Sequence, residues 1–158
     1  MICVERAGMD RVDEAYAIVQ EYYEAVSVVV REDAVEFAHE YFGDGAGVWL
    51  ARDGESVMGC IALRGLENLE KSGEVKRLYV KPEYRGQGIA ERLLAALETY
   101  ARESGYQAIY LDSKDDLKTA IRFYARHEYA ECERYNENPQ ATIFMKKELF
   151  ARSDASTE

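Results

Sequence analysis

Residues 84–94, "YRGQGIAERLL", join a fixed cation, two glycines two positions apart and the start of an amphipathic helix. A helix entered from a glycine turn leaves its first backbone N–H groups without carbonyl partners. It also brings the positive end of the helix dipole to the same spot, so an anion can be held there. Gly86 and Gly88 let the chain approach a bulky anion with no Cβ in the way. The Arg85 guanidinium adds a fork suited to phosphate oxygens. The same residues also make an ordinary strand-to-helix turn, and the glycine pair alone does not choose between the two. Two phosphate motifs are excluded: no G-x-x-x-x-G-K-[ST] occurs, and "GQGIAE" lacks the spacing of a dinucleotide fingerprint.

The elements that must position this turn follow from periodicity. "ICVER" (2–6) reads as a strand, and 9–26 as a helix with Val12, Ala15, Tyr16, Val19, Tyr22 and Tyr23 at helical spacing. Ala34, Phe37, Ala38 and Tyr41 mark a second helix, while the valines at 28–30 favour strand or loop. "VWLARDGESVMGCIAL" (48–63) is two β-prone runs around Asp53-Gly54, a hairpin signal. "RGLENLEKSG" (64–73) reads as the loop beyond it. "EVKRLYV" (74–80) is a third run whose imperfect alternation suggests a bulge.

After the glycine turn, Ile89, Leu93, Leu94, Leu97 and Ala101 share one helix face that Gly105 can cap. "QAIYLDS" (107–113) is a nearly continuous apolar strand of the kind buried on both faces. Leu117, Ala120, Ile121 and Tyr124 repeat at helical spacing behind Asp115 and Asp116. "ECERYN" (131–136) and "ATIFMKKEL" (141–149) read as two closing strands around "ENPQ", and the 151–158 tail is expected to be disordered. The order predicts a mixed α/β domain around a central sheet.

The totals agree with one folded unit. The 158 residues suffice for a single core, with 47% hydrophobic and 32% charged residues. The net charge of −10 argues against nucleic acid and anionic membranes as partners and towards amines, small cations or basic tails. Solubility alone would explain it equally well. Cys3, Cys60 and Cys132 are widely spaced, with no C-x-x-C pair and no accompanying histidine pattern. A reduced, cytoplasmic setting and no metal are expected. The N-terminus becomes charged too early for a signal peptide, and no apolar run has the length of a membrane span.

"LYVKPEYRGQGIAERLL" resembles the signature of the GNAT superfamily of N-acetyltransferases: Gln or Arg, two residues, Gly, any residue, then Gly or Ala. Arg85, Gly88 and Ala90 stand at those positions. "GYQAIYLDS", "AIRFYARHEY" and "YNENPQATIFMKKEL" continue the likeness, the last to the final strands of many bacterial members. It covers about residues 73–149. The resemblance implies a mostly antiparallel, partly parallel sheet flanked by helices, in a single acetyltransferase domain over 1–150. It also implies acetyl-coenzyme A as cosubstrate, no metal, and an amine acceptor on a small molecule or peptide. Gly86, Gln87, Gly88, Ile89 and Ala90, beside Arg85, would hold the pyrophosphate. Leu78, Tyr79 and Val80 would pair with the pantetheine arm. A homodimer through the C-terminal strands is compatible with the family.

Acetyl transfer needs a neutral amine, a polarised thioester carbonyl and a proton for the departing thiolate. By resemblance Tyr124 meets the coenzyme sulfur and Glu74 is the carboxylate that takes the amine proton. Glu67, Glu70 and Asp112 are substitutes for Glu74. Each has an ordinary reading beside this one, Tyr124 as a core aromatic and Glu74 as a strand-end glutamate. His127 stands in "HEY", where the family tends to have "LGF", so the turn there is expected to differ; a solvated helix-end histidine is the simplest role for it. Tyr135 and Asn136 either contribute to an acceptor pocket or make an ordinary hairpin tip, and Trp49, Tyr22, Tyr23, Phe37 and Tyr41 either line that pocket or fill the core. The expected function is N-acetyl transfer to a primary amine by direct attack. The alternative is a non-catalytic acyl-coenzyme A binding or regulatory module.

Overall fold

The structure, a computed structural model, describes residues 1–27 and 32–150. The 28–30 valine run and the 151–158 tail lie outside the described residues. Seven strands form one sheet: β1 (Ile2–Arg6), β2 (Gly47–Asp53), β3 (Ser56–Gly65), β4 (Ser72–Val80), β5 (Ala108–Ser113), β6 (Ala130–Glu131) and β7 (Ile143–Glu148). The spatial order is β1-β2-β3-β4-β5-β7-β6. Only β4 and β5 run parallel; the other pairs are antiparallel. Helices α1 (Val12–Val26), α2 (Ala34–Tyr41), α3 (Ile89–Glu103) and α4 (Lys118–Arg126) complete the described architecture. No helix among the described residues is long and apolar enough to cross a membrane.

Burial on both faces explains why the central strands are continuously apolar. On β3, Cys60 and Ala62 pack with Ala15, Val19 and Tyr23 of α1 and Phe37 and Tyr41 of α2. The alternate residues Ile61 and Leu63 pack with Leu93, Leu94 and Leu97 of α3 and with Phe123 and Tyr124 of α4. The expected α3 stripe is the buried one. Leu93 and Leu97 are wholly inaccessible, each worth about 2 kcal/mol of burial. Gly105, at φ 91°, ends α3 as foreseen: its N–H reaches Arg102 O, and the N–H of Tyr106 reaches Ala101 O. These are the two bonds of a Schellman cap.

The expected bulge lies on β4. Cys60 faces Tyr79 and Ala62 faces Lys76, so Ile61 opposes both Arg77 and Leu78, and Arg77 takes the left-handed conformation at φ 61°. Ahead of the bulge β4 has already left its other neighbour. It pairs with β5 only over Ser72–Glu74, although both strands continue.

The closing strands need correction. "ECERYN" contributes only Glu131 to a strand, the two-residue β6 that begins at Ala130, and the residues after Cys132 form an irregular loop. The Arg134 guanidinium donates to the carbonyls of Asn136, Asn138 and Ala141, each at 3.2 Å. That folds the segment over itself, while Tyr135 and Asn136 turn inward to a carboxylate. Helix α4 also starts later than its acidic signal, at Lys118 with Leu117 as N-cap. Its buried face is Phe123 and Tyr124, with Leu117, Ala120 and Ile121 only half-buried.

Candidate functional site

A cavity of about 800 Å³ opens where β4 and β5 diverge. Its walls are β4 from Val75 to Val80, the ends of β5, the turn into α3, and α4, with Tyr22 and the end of α1 closing one side. Of the nine residues assigned to the coenzyme, Leu78, Tyr79, Val80, Arg85, Gly86, Gly88, Ile89 and Ala90 line it. Gln87 is not among the lining residues.

The turn has the conformation that its composition demands. Gly86 and Gly88 lie at φ 84° and 76°, where a side chain is disfavoured. Gly88 is the N-cap of α3 and offers no side-chain acceptor. The first N–H groups of the helix therefore have no intrahelical partner and stand at the cavity wall. Arg85 donates from Nε to Val80 O at 2.9 Å, tying the turn to the strand end with its remaining N–H groups still to spend. Along the wall, the unpaired edge of β4 presents backbone donors and acceptors that β5 does not take. A phosphate-tipped chain with amides along its length fits both features: anion at the turn, amides along the edge.

Tyr124 lines the cavity with its ring 7% exposed, packed edge-on against Phe123 and Tyr129 at 5.4 and 5.3 Å. Its hydroxyl donates no hydrogen bond among the described residues. Burial pushes the phenol well above its usual range, so it is protonated at neutral pH and available as a donor. The "HEY" turn behind it keeps the left-handed geometry that a glycine would supply. Glu128 stands at φ 75°, Glu128 N bonds Ala125 O, and Tyr129 N bonds Tyr124 O. His127 is the C-cap, stacked on Phe123 at 4.7 Å.

Glu74, expected either to take the amine proton or to be a solvated strand-end residue, lies away from solvent. It is fully buried and is not among the cavity residues. Both its oxygens are engaged: Oε1 accepts from Arg64 Nε at 2.8 Å, and Oε2 from the Tyr135 hydroxyl at 2.5 Å and Asn136 Nδ2 at 3.2 Å. Arg64 also pairs with Glu40 of α2, so Glu74 ties α2, β3, β4 and the late loop together. The nearby carboxylate that does face the cavity is Asp112, one of its substitutes. Asp112 Oδ2 accepts from Asn136 at 2.7 Å and Asn138 at 3.2 Å, and Lys76 Nζ lies 3.7 Å from its Oδ1. Burial acts to raise the Asp112 carboxyl, but the Lys76 charge and the two amides outweigh it and hold it below the ordinary range. Lys76, also 3.7 Å from Glu74, is lowered chiefly by burial.

Glu67 and Glu70 sit on the exposed 66–71 loop, away from the cavity. Trp49, Phe37, Tyr41 and Tyr23 are core, whereas Tyr22 lines the cavity. Tyr135 and Asn136 act on the carboxylates and do not line the cavity. Lys76 and Arg77 had no place in the sequence reading of the site. Their only trace was the broken alternation of "EVKRLYV".

The acetyltransferase (GNAT) family matches residues 12–129. An uncharacterized N-acetyltransferase of Schizosaccharomyces pombe is 29% identical over 144 residues, 87% of this chain and 88% of that protein. N-acetyltransferase 8B of Homo sapiens is 29% identical over 103 residues, 63% of this chain. The chain spans 45% of that human protein's length. The structure of a GNAT-family acetyltransferase from Staphylococcus aureus superposes with a TM-score of 0.81 at 20% identity, over 95% of this chain and 100% of the other. An N-acetyltransferase of Thermoplasma acidophilum in complex with coenzyme A has a TM-score of 0.73 at 15% identity, over 94% and 99% of the two chains. At these identities the structures speak for the fold alone. The likeness to bacterial members narrows no further than the family, since the two relatives just named are eukaryotic.

Proposed function

The chain belongs to the acetyltransferase (GNAT) family, and on that premise we propose that it transfers an acetyl group from acetyl-coenzyme A to a primary amine by direct attack, with the cytoplasm as its setting. One observation carries the reading. The glycine turn, the unpaired β4 edge and the protonated Tyr124 all open on a single cavity. Binding of coenzyme A by the Thermoplasma protein, whose fold this chain shares, supports the choice of donor.

Acetyl-coenzyme A supplies an activated acyl carbonyl and a thiolate leaving group. The N–H groups of Gly86 to Ala90, with Arg85, bind the pyrophosphate, and Leu78 to Val80 orient the pantetheine arm against the open edge. Tyr124 gives a hydrogen bond or its proton to the sulfur as the C–S bond breaks and the C–N bond forms. Asp112 is ionised and faces the cavity, so it can attract the acceptor's ammonium and take up, directly or through water, the proton that the amine must lose. Glu74 is a positioning residue: it holds Tyr135 and Asn136, and Asn136 in turn holds Asp112.

A second reading, a coenzyme-binding module without turnover, is favoured by one feature, the fully engaged Glu74. Incubation with acetyl-coenzyme A and a panel of amines, polyamines, amino acids and peptides separates the two when free thiol is followed. Thiol release that requires an acceptor supports the transferase. Tight binding of the coenzyme with no release across the panel favours the module, and absence of binding removes both.

A further inference from the structure

Arg77 has no role in the scheme above, yet the backbone is strained to aim it. It sits at the β4 bulge in the left-handed conformation, which costs a non-glycine residue on the order of 1 kcal/mol or more. Bulges of this kind re-aim a side chain beside a site. Its guanidinium lies over the Tyr23 ring at 4.9 Å, and Arg77 is among the residues that line the cavity, with Tyr22 and Asp112. Its Nε is buried and has no hydrogen-bond partner, and Arg77 joins no ion pair within 4.0 Å among the described residues. The Tyr41 hydroxyl, near enough to feel the same charge, is likewise buried without a partner. The Arg77 guanidinium is half-buried, is hydrogen-bonded to the Tyr23 hydroxyl and feels the Glu32 carboxylate from further off. An arginine is always charged, and with no carboxylate within 4.0 Å among the described residues it keeps the capacity to take an anion when the site is filled.

The coenzyme cannot supply that anion through its phosphates. They belong at the 86–90 turn, beyond the three residues Leu78 to Val80, roughly 10 Å of strand away. Glu32, which shares Tyr23 with Arg77, is the nearest anion of the protein itself, and an anion on the acceptor would meet Arg77 from the cavity side. Resting on the transferase reading, we propose that the acceptor is an amine that also carries a carboxylate, as a free amino acid does. Arg77 binds the carboxylate, and Asp112 receives the ammonium across the same cavity.

The test uses the full chain saturated with coenzyme. Free amino acids are compared with amines identical except for the missing carboxylate, with binding read by calorimetry and transfer by free thiol. The expected preference for the carboxylate-bearing member is about 10- to 100-fold, the range of a hydrogen-bonded charge. Arg77→Gln should abolish that preference while leaving coenzyme affinity unchanged. Arg77→Lys, which keeps the charge and loses the fork, should retain part of it and serves if the glutamine variant does not fold. Equal handling of both members by the unaltered protein, or a preference that survives Arg77→Gln, overturns the proposal. Selective carboxylate binding without thiol release would sink the transferase reading and leave the site standing. Release with carboxylate-free amines only would do the reverse.

Discussion

Gly88→Ala separates the two uses of the glycine turn, because backbone strain and anion binding predict different sizes of effect. At φ 76° an added Cβ meets no heavy atom within 4 Å. The stability cost is therefore only the left-handed strain of about 1 kcal/mol, eased slightly by the stiffer unfolded chain. For a chain of this length that lowers Tm by about 2–4 °C. On the proposed function, the Cβ would enter space taken by the pyrophosphate, at the mouth of the first N–H groups of α3. Losing one hydrogen bond to a charged oxygen costs about 1.5–3 kcal/mol, so coenzyme A affinity should fall about 10- to 150-fold. Thermal denaturation and calorimetric titration give the two numbers independently. A phosphate-free pantetheine thioester is the control and should bind both proteins equally. If Gly88→Ala lowers Tm as expected but binds coenzyme A as well as the unaltered chain, the turn is only a turn and the assignment of residues 86–90 fails.

Three further outcomes follow from the same geometry. Tyr124→Phe should reduce kcat roughly 100-fold or more, as loss of a positioned proton donor does, with coenzyme affinity retained; a kcat within twofold of the original would return Tyr124 to the core. Glu128→Gly should raise stability by about 1 kcal/mol, or about 2–4 °C in Tm, by relieving the left-handed residue in the α4 cap; a lower Tm would show that the strain estimate has the wrong sign. Asp112 has a folded-state pKa below its unfolded value of about 3.9, so its stabilisation is complete above that pH and is lost as pH falls through the folded value. Denaturant titrations of Asp112→Asn should accordingly show a shallower loss of stability below about pH 4, and an unchanged acid slope would contradict the assignment.

What could be read from residues alone was what lies close together along the chain. The proposed donor site is nearly contiguous, from Leu78 to Ala90, so its spacing carries its chemistry. The proposed acceptor side is assembled by the parallel contact of β4 with β5, which brings Lys76 beside Asp112 across 35 intervening residues, and by the late loop that delivers Asn136 to both carboxylates. Neither can be seen in a linear pattern. From sequence Glu74 reads as a base or as a solvated strand-end residue, because the partners that bury and satisfy it, Arg64 on β3 and Tyr135 with Asn136 on the late loop, come from two other segments. "ECERYN" misled for a related reason: its composition suits a strand, but the Arg134 side chain takes up the carbonyls of its own loop.

The ladder between β4 and β5 has three residue pairs, Ser72 with Ala108, Gly73 with Ile109 and Glu74 with Tyr110. The sheet is thus two smaller sheets, β1–β4 and β5–β7, sewn together at one end. A coenzyme seated in the gap would act as a removable strand, pairing with an edge that the protein itself leaves bare. Amide hydrogen exchange at Leu78 to Val80 should then slow when coenzyme is bound and quicken when it leaves, while the amides of β2 and β3 remain as they were. On the proposed function, the opening of the fold would house the reaction and would also be where turnover is felt as a gain and loss of backbone order.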